Sequence, residues 1–395
     1  MIADLRRQFN ARFTLDGYQK LLCEVKERCG TEVPFRIAET PCFVPRVLLE
    51  KMCQFGVELL RQLVTPEYLA ESEHSIPVQY KVAGEAPHPL FAQVDFGLVR
   101  DAVGNLQPKL VELQGFPSLY AYQGALAQTY LDIFQLDDRL QFFLSGLKWE
   151  SYTDLLRRVI VGGHDPENVV LMEIEPLRQK TLPDFLLTEK MLGIKTVDIA
   201  KVEKDGKRLF YEREGKRIPI HRIYNRAIVD ELVRKQVKLN FQFTDDLDVE
   251  WAGHPNWFFR MSKFSLPYLR HECVPETRFL SDVDPTANLE AYILKPLFAF
   301  AGLGIMLPPN WADLRAIPRE RANDYVLQER MNFEPVIETP CGLTKAEIRI
   351  MYIWEREPLP VLTIIRMGRG EMMGVDHNKN MEWVGSSAGL FLTEN

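Results

Sequence analysis

At 395 residues the chain is too long for one simple core, and at roughly 150 residues per domain it is expected to divide into two or three. With 46% hydrophobic and 26% charged residues it reads as an ordinary globular protein, and its net charge of -7 gives no general attraction to phosphate backbones or anionic lipid. Neither nucleic acid nor membrane is therefore an expected partner. Residues 1–8 are charged and lack the apolar core of a secretory signal, and no stretch approaches the ~20 consecutive apolar residues of a membrane helix. The six cysteines contain no C-x-x-C pair, so free, mostly buried thiols and a reduced, cytoplasmic location are expected.

In chain order, residues 1–89 read as mainly helical, with Leu48, Leu49, Met52, Phe55, Leu59 and Leu60 at helical spacing after Pro41 and Pro45. Residues 90–96 and 109–113 read as two strands joined by a turn containing Gly104-Asn105, and Ser118 as the cap of a following helix, together making a unit over 90–150. Next come a strand at 169–172, a helix ending at Gly193, and a strand at 195–199. A charged hairpin turning at Asp205-Gly206 then returns through 218–226. That rhythm predicts a parallel sheet in a βαβ-type subdomain over 151–245. The last unit, 246–395, contains strands at 292–295 and 325–329 and a long antiparallel pair at 347–352 and 361–366. The fold class is mixed, α+β or α/β.

Four constellations carry chemistry. Lys263 and Lys295 stand where an ammonium either meets a polyanion at a sheet rim or snorkels to solvent. The loop after Phe298 holds Gly302 and Gly304, whose backbone offers close approach to phosphate, although the loop also reads as an apolar turn. Gln328-Glu329-Arg330-Met331 follows an apolar strand, as an adenine hinge does, or as a charged edge strand does. Glu112 and Gln114 share one strand face, with Asp95 on the strand paired to it; hard oxygen ligands so placed suit Mg²⁺, and a solvated sheet face is the other reading. A second metal face, Asp376-His377-Asn378-Lys379-Asn380, is open as an alternative to an Asn-rich turn. Arg222, Arg226, Arg349 and Arg366 offer bidentate groups for a transferred phosphate. His254 and His271 read as structural, with an acid/base role open as the other reading.

In order, Ser262-Lys263, Val274-Pro275-Glu276-Thr277, Leu294-Lys295-Pro296, Gln328-Glu329 and Glu347-Ile348-Arg349 resemble the nucleotide-binding half of the ATP-grasp superfamily. Because the candidate metal face precedes these segments, the arrangement is similar to the circularly permuted branch exemplified by glutathionylspermidine synthase, over about residues 90–390. Gln114 stands where that branch usually has Asn, and the phosphate loop is poorer in glycine. The resemblance implies a permuted ATP-grasp fold and an ATP-dependent carboxylate-amine ligase that forms an amide through an acyl phosphate. It implies ATP and Mg²⁺ as cofactors, with the metal on Asp95, Glu112 and Gln114. Lys263, Lys295, Gly302 and Gly304 would grip phosphates, and Gln328, Glu329 and Met331 would line the adenine. Arg222 or Arg226, with Arg349 and Arg366, would steady the transferred phosphate and acyl oxygen. Small-molecule or peptide carboxylates and amines are the implied partners. A non-catalytic nucleotide-binding module and phosphoryl transfer to a non-carboxylate acceptor remain open as alternatives.

Overall fold

The computed structural model describes residues 1–393 apart from 285, 299–302, 375–377 and 379. Long apolar runs in Phe91–Arg100, Gly342–Trp354 and Pro358–Gly368 leave little of these strands for water, and they pair antiparallel at the centre of the largest sheet. Across that sheet the order is Cys42–Phe43, Gly385–Leu392, Pro358–Gly368, Gly342–Trp354, Phe91–Arg100, Leu106–Gln114. One face, with Val94, Ile348 and Ile350, packs on Leu49, Met52 and Leu59 of the helix Arg46–Gln62. The other, with Met351, Ile353 and Leu362, packs on the helices Leu15–Cys29 and Tyr122–Phe134. The N-terminal helices are thus part of the main core, and Cys42–Phe43 adds a parallel strand beside Gly389 and Leu390.

The expected hairpin forms with Asp95 opposite Glu112, but its register then steps to Phe96 opposite Leu110. The extra residue, Val111, bulges the strand. Leu110 and Leu113 consequently both enter the core while Glu112 and Gln114 face the other way. Ser118 does not cap the helix that follows it. Instead Asp184, from the helix Leu182–Leu192, accepts the N–H groups of Ala121 and Tyr122, each at 2.9 Å, at the start of Tyr122–Phe134.

The strand–helix–strand rhythm gives a parallel sheet ordered Glu250–Ala252, Arg222–Asn225, Val169–Glu173, Lys195–Asp198. The helix Leu182–Leu192 ends where Gly193 turns left-handed at φ 78°. The charged hairpin is a three-stranded meander, Glu203–Asp205, Arg208–Arg213 and Lys216–Ile220. A third sheet sets Tyr325–Glu329 between Thr277–Phe279 and Tyr292–Pro296, so this strand is central and not an edge. All six cysteines are free as expected, but Cys23 and Cys341 are exposed and only Cys29, Cys42 and Cys273 fully buried. Among the described residues no helix is long and apolar enough to cross a membrane.

Candidate functional site

A cleft of about 600 Å³ is lined by the polar end of the central sheet, by the three-stranded sheet, and by the C-terminal edge of the parallel sheet. Strand register assembles its floor. Asp95 lies opposite both Glu112 and Arg349, and Glu347 lies opposite Arg366. Asp95, 1% exposed, accepts from Arg349 Nη2 at 2.6 Å and Arg366 Nη2 at 2.7 Å on Oδ2, and from Arg349 Nε on Oδ1. Glu347 pairs with Arg366. Glu112 lies 3.2 Å from Lys263 Nζ and 3.7 Å from Arg349 Nη2, and accepts the Gln114 amide at 2.8 Å. Burial opposes the charge on Glu112, but Lys263, Arg349, Lys295 and Arg366 outweigh it and hold the carboxyl at about 2. Burial pushes Glu347 up despite Arg366.

On one wall both lysines are buried and do not snorkel, Lys263 at 6% exposure and Lys295 at 4%. Lys295 donates to Gln328 Oε1 at 2.6 Å and to the Val111 carbonyl at 3.2 Å. Burial pulls its ammonium down to about 8; Glu112 resists that fall and Lys263 adds to it. In the expected hinge, Glu329 N–H donates to Glu276 O and Arg330 N–H to Ala291 O, each at 2.7 Å, so these two amides serve the protein. Met331 and Phe333 beyond them line the cleft with Ile293, Ile305 and Leu307 and supply an apolar slot, with Asn332 between them in the chain. Gly304 turns at φ 71° against Pro296 and is not in the lining. Gly302, and Asp376, His377 and Lys379 of the second metal face, lie outside the described residues.

The opposite wall is the carboxyl edge of the parallel strands, the usual ligand crevice of an open α/β sheet. Arg226, 3% exposed, donates to the Pro117 carbonyl and lies 4.7 Å from the Phe116 ring centroid. Glu173, also 3% exposed, ends its strand here, and burial pushes its carboxyl up to about 8 although Arg226 and the Ile174 N–H oppose this. Gln179 is held by Ile174 O at 2.9 Å and Glu231 at 3.0 Å.

The structure therefore brings Glu112, Gln114, Lys263, Lys295, Gln328, Glu329, Met331, Arg226, Arg349 and Arg366 to one cleft. Asp95 lies beneath its floor. Arg222 is directed elsewhere, donating to Ile160 O at 3.0 Å and Val159 O at 2.9 Å at the end of the helix Trp149–Ile160. Sequence reasoning missed Glu173, for which the end of a parallel strand was the available signal, and Gln179 and Phe35, for which there was none. His254 contacts the Ala83 carbonyl at 3.2 Å and burial lowers its pKa; His271 sits between Glu58 and Cys273, outside the cleft.

Mg²⁺ requires oxygen ligands left open to it in near-octahedral geometry. Here the oxygens of Asp95 and Glu112 face guanidinium, ammonium and amide donors. Among the described residues no group of three or more His, Cys, Asp or Glu gathers as a ligand set. So arranged, the donor set does not fit Mg²⁺.

No family model matches the chain, and no curated protein matches it in sequence. A solved structure of a glutathione synthetase-like effector from Globodera pallida, in its apo form, is similar to it with a TM-score of 0.57. That match has 10% sequence identity and covers 98% of each chain. At that identity the likeness speaks to the fold alone, which is glutathione synthetase-like.

Proposed function

We propose that the chain is an ATP-dependent carboxylate-amine ligase built on an ATP-grasp fold in circularly permuted order. The observation that carries this reading is the convergence of two buried lysines, Lys263 and Lys295, on a floor that also holds Arg349 and Arg366. An apolar slot lies on one side of that floor and a buried Glu173–Arg226 pair on the other. A nucleotide fits with its base between Ile293, Ile305, Leu307 and Met331 and its phosphates over the lysines. The substrate carboxylate then lies toward Arg226 and Arg366. Transfer of the terminal phosphoryl group to that carboxylate gives an acyl phosphate and ADP; attack by the amine nitrogen expels phosphate and forms the amide. The protein's part is positioning and charge neutralisation. Lys263 and Lys295 neutralise the phosphates, and Arg366 faces the charge that develops on the acyl oxygen. Glu173, which burial raises to about 8, takes up the proton that the attacking amine must lose only in its ionised fraction, which is small at pH 7 and grows toward pH 8.

The test is incubation with ATP and pools of carboxylates and amines, followed by mass spectrometry of products, for wild type and Lys295→Met. The reading requires an amide product formed with equimolar ADP and phosphate, and its loss in the variant. A phosphorylated hydroxyl product, or equal yield from Lys295→Met, sinks it. A second reading, a nucleotide-binding module without catalysis, is favoured by the arginine-locked Asp95. It predicts that bound ATP stays intact in every mixture.

A further inference from the structure

We infer that this cleft binds the nucleotide's polyphosphate without a divalent cation, Arg349 supplying the positive charge at the place a metal would take. The inference rests on the nucleotide reading of the cleft and adds to it a cation requirement opposite to the one the resemblance implies.

The geometry is specific. Asp95 and Glu112 are direct cross-strand partners, the two carboxylates that the resemblance assigns to a metal. Arg349, opposite Asp95 on its other side, reaches both: its Nη2 lies 2.6 Å from Asp95 Oδ2 and 3.7 Å from Glu112 Oε1. One guanidinium thus spans the two acids. The remaining oxygens are also engaged. Asp95 Oδ1 takes Arg349 Nε, Glu112 Oε2 faces Lys263, and Glu347 Oε1 faces Arg366. Gln114 turns its amide N–H, not its carbonyl, toward Glu112.

Charge points the same way. Lys263, Lys295, Arg349 and Arg366 are four cations against the three acids Asp95, Glu112 and Glu347, all but Arg366 under 9% exposed apart from the half-buried Glu112. A hydrated Mg²⁺ entering here must shed water and displace arginine or lysine from each carboxylate, in a site already carrying excess positive charge. A triphosphate meets the reverse situation: its charge is complementary to the excess positive charge, and its oxygens can join the carboxylates that Arg349 and Arg366 already hold.

The experiment is calorimetric titration of ATP into the wild-type chain in EDTA and, separately, in excess MgCl₂. The inference expects saturable binding in EDTA with Kd within about threefold of the Mg²⁺ value. Binding seen only with Mg²⁺ overturns the inference and leaves the ligase reading standing. No binding under either condition removes the nucleotide reading itself, and the inference with it. A folded Arg349→Gln variant adds a second arm. It should lose at least about tenfold in EDTA, because the guanidinium that spans Asp95 and Glu112 is gone while Arg366 and Lys263 still hold those two acids. Unchanged EDTA binding in that variant removes Arg349 from the role.

Discussion

Replacing Lys295 with methionine deletes the ammonium while keeping most of the stem, and its consequence depends on pH in a way the burial of this residue fixes. In this cleft the ammonium is pulled from the usual 10.5 down to about 8, chiefly by desolvation. About nine-tenths of the chains then carry the charged form at pH 7 and about one-tenth at pH 9. If only the ammonium form grips phosphate, apparent affinity follows that fraction, so the ATP Kd rises about tenfold between pH 7 and pH 9. That is ~1.4 kcal/mol of binding free energy. The sign follows from the direction of the shift. A base whose pKa is depressed in the free protein regains its proton when an anion arrives, so binding above pH 8 takes up protons. Titration calorimetry in two buffers of different ionisation enthalpy measures both effects. Lys295→Met should bind more weakly at pH 7 and show neither the tenfold slope nor the proton uptake. Wild-type affinity that is flat from pH 7 to 9, or an equal slope in the variant, refutes the reasoning.

Three further perturbations follow from the same geometry. Glu173 is raised from the usual 4.5 to about 8, so its contribution to stability is fully present below the lower value and lost as pH rises through the upper one. Glu173→Gln should therefore stabilise the fold by roughly 2–4 kcal/mol more at pH 8.5 than at pH 4.5 in urea unfolding, and a pH-independent difference contradicts the assignment. Asp95→Asn removes the counter-charge shared by Arg349 and Arg366 and should cost about 3–5 kcal/mol of stability, where an unperturbed variant would show that the network is not what holds the floor. At Gly97 a Cβ would run into the ring of Phe333, which lines the cleft beside Met331. Gly97→Ala should displace that ring, cost about 1–3 kcal/mol and weaken ATP binding; native stability with native affinity would show that the ring has room to move.

Local pattern made much of this molecule legible. Alternation and turn residues located the Asp95–Glu112 hairpin, and the strand–helix–strand rhythm located the parallel sheet, because each is decided within some twenty residues. What escaped is non-local. Arg349 was legible as a guanidinium near phosphate, but not as the partner of an acid 254 positions away, since only sheet register sets 349 against 95. Arg222 and Arg226 looked equivalent in sequence. Four residues of extended chain set them about 13 Å apart, Arg222 in the strand and directed to the end of a helix, Arg226 just beyond it in the cleft. Burial was equally unreadable: nothing around Glu173 or Lys295 announces that each is nearly sealed from water, and that seal moves both pKa values toward 8. The bulge at Val111 is a single inserted residue, yet it determines which face of the strand Glu112 occupies.

The most direct test of the central claim is titration of ATP at pH 7 into wild type, Lys295→Met and Arg222→Gln. The account predicts one saturable site in wild type, at least about tenfold weaker binding in Lys295→Met, and wild-type affinity in Arg222→Gln, whose side chain caps a helix away from the cleft. Absence of saturable binding, or equal affinity in wild type and Lys295→Met, would contradict it.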